Sequence, residues 1–319
     1  MTSETPSFDA LPLQKAGPRG NAWGLFGKDD ELGMLNRLTP ETTLAATKEI
    51  VHGIRIATDW PMDQPRTPCF SRQAFHQEIF HKEPRTVNDD ILTLNTQSSS
   101  QWDGFRHFGY QDEKVYFNGT KQEEIHNSKR IGTHIWVEYG GIVGRGVLLD
   151  YASWAEAQGK TVSTHSYNPI PLSELKQVAE AQGVSFRPAD ILFIRTGYIK
   201  NMEALTTDDA NAYATQAGGP VPAIGVESAE ETLRWLWDNQ FAAVAGDQPA
   251  FEAIPFNNTV YRLHEWLLAG WGMPIGELFD LEKLAAECKK YNKYTFFFSS
   301  VPLNVPGGVA SPPNGVAIL

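Results

Sequence analysis

A polar run interrupts this chain where an apolar strand would otherwise continue. Residues 91–94 read Ile-Leu-Thr-Leu, and directly after them come Asn95-Thr96-Gln97-Ser98-Ser99-Ser100-Gln101-Trp102-Asp103-Gly104-Phe105-Arg106-His107. Gln97, Gln101 and Asp103 fall on alternate positions, so an extended backbone would present all three on one face of a sheet. Polar groups massed on a strand face need water, protein partners or an ion. Any fold for this chain must satisfy that face. Asp103 and His107, a carboxylate and an imidazole four residues apart, give the run the look of a metal-site pattern. Taken singly, the same residues also suit plainer roles. The amides could bond one another, Asp103-Gly104 could make a turn, and His107 could be an ordinary histidine.

Composition narrows the functional classes. With 27 basic and 38 acidic residues the chain carries a net charge of −11, spread along its length. Nucleic acid is excluded as a partner, because phosphate binding needs a basic surface. A small molecule is the expected partner. Cys69 and Cys288 form no CxxC pair and no disulfide framework, which fits a reducing compartment. Residues 1–19 are polar, without an apolar signal core, and no apolar run approaches the ~20 residues of a membrane span. The expected location is the cytoplasm.

Pro and Gly punctuate the whole length, so the expected organisation is an irregular arm over residues 1–20 and one α/β domain over 21–319. Thr39-Pro40-Glu41 reads as a capped helix start. Strands are predicted at 53–57, 91–94, 146–150, 190–195, 241–247 and 295–301. Helices are predicted at 173–181, 227–238 and 281–290, and 260–269 reads as amphipathic. The strands are too irregularly spaced for a doubly wound nucleotide fold. His264 falls in the amphipathic stretch, and Glu277 follows the break at Gly272 and Pro274. A turn there would bring the carboxylate back beside the imidazole. Neither residue is specific alone: each could be structural. Trp23, Phe26 and Trp102 are candidate walls of a flat apolar pocket, and each would serve as well in a core.

In these residues and their order the chain resembles the putative cyclase family, which includes bacterial kynurenine formamidases and isatin hydrolase. The family motif His-x-Gly-Thr-His-x-Asp-x-Pro-x-His corresponds here to Gln97 through His107, with Gln97 and Gln101 in place of its first two histidines. Further ordered similarities are Trp23-Gly24 with Asp29-Asp30-Glu31-Leu32-Gly33, Arg145 through Asp150, and Ala189 through Gly197. The closing segment Gly307-Gly308-Val309-Ala310-Ser311-Pro312 is similar too.

The resemblance implies the swivelling β/β/α fold, a mixed sheet with flanking helices, and a homodimer or higher oligomer whose subunits share pocket walls. It also implies a metal held by Gln101, Asp103, His264 and Glu277, with His107 as general acid/base. Gln97 would be a further ligand or would position water. An amide oxygen replacing imidazole makes the donor set oxygen-rich. That suits one divalent ion, manganese or zinc, with magnesium also admitted. The activity implied is metal-dependent hydrolysis of a small cyclic or acyl amide or a lactone. The altered ligands point away from kynurenine formamidase activity itself. Two other functions stay open: a cyclase or dehydratase-type lyase, and a metal-free binding protein on the same fold.

Overall fold

The protein is described by a computed structural model over residues 5–216 and 221–319. The first four residues of the expected arm lie outside it. Among the described residues the strands are β1 (Arg55–Ala57), β2 (His76–His81), β3 (Asn88–Thr93), β4 (Gln101–Asp103), β5 (Ile142–Asp150), β6 (Asn168–Ile170) and β7 (Ile191–Arg195). They continue with β8 (Ile224–Val226), β9 (Ala243–Gly246), β10 (Ile275–Glu277), β11 (Thr295–Ser300), β12 (Ala310–Ser311) and β13 (Gly315–Ile318).

Nine of them form one mixed sheet in the order β1-β13-β11-β5-β7-β9-β10-β4-β12. Its centre, β5-β7-β9-β10, is parallel. Parallel strands are covered on both faces and need continuous apolar sequence. Ile191-Leu192-Phe193-Ile194 and Ala243-Val244-Ala245 supply it and are wholly buried. By contrast β11, an antiparallel neighbour of β5, alternates half-buried and buried residues, as a strand covered more fully on one face should. The aromatic hub of the core is Phe193, whose ring lies 4.9 Å from Phe298, 5.4 Å from Phe296 and 5.8 Å from Phe279.

The helices at Tyr151–Ala157, Leu172–Ala181, Glu230–Asp238 and Glu282–Tyr291 flank this sheet. Thr39 caps Pro40–Ala46 by accepting a hydrogen bond from Thr42 N at 3.3 Å. The mixed α/β class and the helix at 40–46 therefore match the sequence reading.

Three local expectations change. The strand expected at 91–94 is Asn88–Thr93, and it pairs only with His76–His81, as a hairpin exposed along its whole length. The stretch expected to be amphipathic becomes Glu265–Trp271, a helix of π type in which every residue is buried. Its outer side is covered by the N-terminal arm. Phe8 stacks on Trp266 at 5.8 Å, Trp271 Nε1 donates to Gly20 O at 2.9 Å, and Ala22 N donates to Gly270 O at 2.9 Å. Finally, Gln97 is not on a strand. Asn95 Oδ1 accepts from Gln97 N at 2.9 Å, an Asx turn that breaks the extended run, so only Gln101 and Asp103 share the β4 face.

Candidate active site

β4 lies antiparallel to β10 with Gln101 opposite Glu277 and Trp102 opposite Gly276. This register puts the Gln101 amide directly beside the Glu277 carboxylate, and Nε2 donates to Oε2 at 2.6 Å. The strand pleat sends Asp103 to the same side. Gln97 folds back from its turn and donates from Nε2 to Asp103 Oδ1 at 2.5 Å. Gly276 sits where β9, Phe279 and Trp102 of β4 converge on β10, which leaves no room for a side chain. A Cβ there would stand 2.6 Å from both Ala245 Cβ and Phe279 Cε2.

His264 enters from the residue before the buried helix Glu265–Trp271. Its Nε2 lies 3.1 Å from Glu277 Oε1 and 3.6 Å from Asp103 Oδ2. The other ring nitrogen, Nδ1, donates to Glu252 Oε2 at 2.6 Å, while the His264 backbone N–H donates to Glu252 Oε1 at 3.0 Å. Glu252 therefore holds both the ring and the main chain of His264. A proton fixed on Nδ1 leaves Nε2 as the nitrogen facing the cluster, a common arrangement behind metal-binding histidines. The Glu252 segment packs tightly on β8, where a Cβ at Gly225 would lie 2.3 Å from the Glu252 carbonyl carbon.

Asp103, His264 and Glu277 are all buried, with ligand-type atoms within 4.8 Å of one another. Burial pushes the Glu277 carboxyl up to about 7, with the Asp103 charge adding to the shift. Burial acts on Asp103 in the same direction but is outweighed by His107, His264 and the Gln97 amide, which hold it below the usual carboxylate range. His264 is raised well above an ordinary imidazole: burial opposes this, and Glu252, Asp103 and Glu277 overcome it. Three carboxylates thus surround one imidazole out of contact with water. Asp103 Oδ2 and Gln101 Oε1 are buried there without a hydrogen-bond partner.

An excess of buried negative charge with two orphaned oxygen acceptors is what a cation would satisfy. The donor set of two carboxylates, one imidazole nitrogen and one amide oxygen fits a divalent metal.

The cluster forms the floor of a cleft of about 290 Å³ lined by Phe70, Arg72, His107, Phe108, Ile254 and Phe256, among others. It opens beyond the carboxyl ends of parallel strands β9 and β10, where open α/β sheets place their ligands. His107 stands between floor and cleft, with Nε2 3.8 Å from Asp103 Oδ2 and a side chain 22% exposed. Burial lowers its pKa, and the Asp103 charge opposes that shift.

The structure thus brings Gln97, Gln101, Asp103, His107, His264 and Glu277 together. It places the three expected pocket aromatics elsewhere. Trp102 points to the opposite side of β4 from Asp103, into the core, with its ring 4.9 Å from Phe279 and Nε1 donating to Ser300 Oγ at 2.9 Å. The same alternation that aligns Gln101 with Asp103 demands this. Trp23 packs on Tyr110 and donates from Nε1 to Ala269 O at 2.7 Å, and Phe26 lies exposed beneath Arg37, so neither lines the cleft. Instead its walls are Phe70, Phe108 and Phe256, which carry no spacing signal. Glu252 did carry one: a lone acid inside Ala250-Phe251-Glu252-Ala253-Ile254, where a charge has reason to stand only if partnered.

The sequence profile of a family described as Putative cyclase matches residues 40–253, a span that contains Asp103, His107 and Glu252. Among solved structures, one described as a novel cyclase is similar over 94% of this chain and 99% of its own. The identity is 28% and the TM-score 0.82. Isatin hydrolase A from Labrenzia aggregata, solved with benzyl benzoate, aligns over 89% of this chain and 98% of its own at 15% identity and a TM-score of 0.58. An isatin hydrolase bound to the product analogue thioisatinate aligns over 88% and 99% at 12% identity and a TM-score of 0.59. At those identities the two hydrolases share the fold with this chain. No curated protein sequence matches it.

Proposed function

The chain belongs to the putative cyclase family, and from that premise we propose that it is a metal-dependent hydrolase of a small cyclic or acyl amide or a lactone. The observation that carries this reading is the buried Asp103–His264–Glu277 cluster at the floor of an apolar cleft, where Asp103 Oδ2 and the Oε1 of adjoining Gln101 are buried without a hydrogen-bond partner. Asp103, His264, Glu277 and the Gln101 amide oxygen would hold one divalent ion, manganese, zinc or magnesium. Such an ion polarises a carbonyl and makes water acidic enough to act as a nucleophile near neutral pH.

The chain's own groups do the rest. Glu252 keeps His264 turned toward the floor. The Gln97 amide, donating to Asp103 Oδ1, fixes that carboxylate so that Oδ2 stays free. Phe108 and Phe256 exclude bulk water and confine a flat substrate with its carbonyl toward the floor. His107 takes the proton of the attacking water and delivers it to the departing nitrogen or oxygen. The C–N or C–O bond breaks as a new C–O bond forms, giving an acid and an amine or alcohol. Hydrolysis in oxygen-labelled water would place one labelled oxygen in the acid product. A product of unchanged mass, or one lighter by a water, would replace this reading with cyclase or dehydratase chemistry.

One observation favours a second reading. Gln97 and Gln101 each donate to a carboxylate of the cluster, so protein hydrogen bonds already satisfy part of the charge. A binding protein that works without a metal would need such bonds. Metal content separates the two.

The reading includes a homodimer. Its support is the β2–β3 hairpin, exposed on both faces with Ile79, Phe80, Ile91 and Leu92 in solvent. A lone two-stranded hairpin is marginal in water, and a second copy of the chain would cover it. Light scattering on wild type and an Ile79→Glu, Ile91→Glu variant tests this: wild type should be a dimer and the variant a monomer. A monomeric wild type would remove the dimer from the reading. The cytoplasm is the proposed setting, supported by Cys69 and Cys288, which are both free thiols. Among the described residues no helix is long and apolar enough to cross a membrane.

A further inference from the structure

Arg72 stands on the cleft wall without a carboxylate partner among the described residues. Nη1 donates to the Gln97 backbone carbonyl at 2.6 Å, and the guanidinium carbon lies 4.8 Å from the centre of the Phe70 ring. Neither contact neutralises its charge, and no carboxylate among the described residues pairs with it. The other guanidinium near the cleft differs. Arg262 lies behind Phe108 and Phe256, at 6.0 Å and 5.9 Å from their ring centres, and is paired with Glu265 at 2.5 Å. Among the described residues, Arg72 alone lines the cleft as a guanidinium without a carboxylate partner.

The backbone shows that this placement is built in. Phe70 and Ser71, immediately before it, both have left-handed φ values, 61° and 56°. Two successive non-glycine residues rarely adopt that conformation, and such strain persists where the surrounding structure holds it. In this turn Phe70 is partly exposed, while Arg72 is half-buried and reaches the Gln97 carbonyl. The cleft therefore carries three kinds of surface: acids and imidazoles at the floor, the aromatic walls Phe70, Phe108 and Phe256, and a single guanidinium. A planar guanidinium with free N–H donors is a bidentate partner for a carboxylate.

We propose that the cleft takes a small aromatic compound bearing a free carboxylate, with Arg72 holding the carboxylate and the phenylalanines enclosing the ring. This rests on the hydrolase reading for the part of the substrate that reacts, which sits at the floor, away from the carboxylate held by Arg72. The volume of about 290 Å³ suits one substituted ring, at the small end of the ~300–1,000 Å³ typical of ligand sites.

Calorimetry with phenylacetate and its neutral isostere phenylacetamide tests the proposal without turnover. Wild type, as purified and again after EDTA treatment, should bind phenylacetate at least ~10-fold more tightly than phenylacetamide. Arg72→Gln should lose that preference, Arg72→Lys should keep part of it, and all three proteins should bind phenylacetamide equally, which shows that the variants are folded. Equal affinity for the two probes, binding of neither, or a preference that survives in Arg72→Gln would overturn the proposal. A preference abolished by EDTA would also overturn it, because the carboxylate would then be sitting on a metal. Turnover of neutral lactones or amides without any carboxylate preference would leave the hydrolase reading intact and remove this one. A preference without turnover would do the reverse.

Discussion

Glu252 decides which nitrogen of His264 faces the cluster, and it makes that choice from full burial with both carboxylate oxygens engaged. Replacing such a partner typically costs 10- to 100-fold in metal affinity. Glu252→Gln should therefore lower affinity for manganese or zinc by about that factor in a competitive chelator titration, while the folded far-ultraviolet spectrum is kept. Unchanged affinity would reduce Glu252 to a packing role. His107 offers the contrasting case. His107→Ala should keep the metal and lose roughly 100-fold or more in turnover, so metal content and activity should separate in this variant and fall together in Glu277→Ala. The residues of this site differ in how readable they were. Asp103, His107, His264 and Glu277 were readable through the resemblance to the family, which singles out the acid and histidine of the 97–107 run and a later His and Glu. Arg72, Phe70, Phe108 and Phe256 were not, because they meet only through folding and share no period. Trp102 was readable in principle, since one position along a strand from Asp103 means the opposite face.

Whole elements set the site's tolerances. β4 and β10 carry three residues each, and their register alone puts Gln101 beside Glu277 and Asp103 beside Ile275. Gly276, on β10, leaves room for Ala245 of β9 and for Phe279 to pack against it. Gly276→Ala would drive a methyl into Ala245 and Phe279, and overpacking of this kind costs about 1–3 kcal/mol. Urea denaturation should show that loss along with weaker metal binding; a neutral result would mean that the strands can spread without consequence. The buried strands β7 and β9 were legible as nearly unbroken apolar runs, since parallel strands in this position admit little else, whereas β5 was legible only over 146–150 because Arg145 interrupts it. The helix Glu265–Trp271 was legible as a helix but not in its burial. Its covering, Phe8 and Gly20 to Ala22, lies some 250 residues earlier in the chain, and no local pattern reports such a contact. The turn at Asn95 was missed for the opposite reason: the alternation of polar residues suggested a strand, and a local Asx hydrogen bond overrode it.

At the scale of the molecule, distant segments are tied by ion pairs well away from the site. Glu49 receives Arg145 Nε at 2.9 Å, Lys293 Nζ at 2.9 Å and Thr295 Oγ1 at 2.6 Å, joining the segment after the first helix to β5 and β11. Burial raises its pKa, but Thr295, Lys293 and Arg145 outweigh that and bring it down to about 2 from 4.5. A carboxylate lowered in the folded state contributes stability above its unfolded pKa and loses it as pH falls through the folded value. Glu49→Gln should thus be less stable than wild type by about 2–3 kcal/mol at neutral pH. The gap should close between pH 4.5 and about 2 in denaturant titrations, and a gap independent of pH would show that the charge is not what matters. The fold that these ties secure is shared with a cyclase structure at 28% identity and with isatin hydrolases at 15% and 12%, so its chemistry must be read from the site itself. The most direct test of that chemistry is elemental analysis of protein purified without chelator, alongside Asp103→Ala and Glu277→Ala. The hydrolase reading expects about one manganese, zinc or magnesium per wild-type chain and its loss from both variants. Wild type free of metal, with no uptake when manganese or zinc is added, would contradict it and leave a binding site whose acids are satisfied by Gln97 and Gln101.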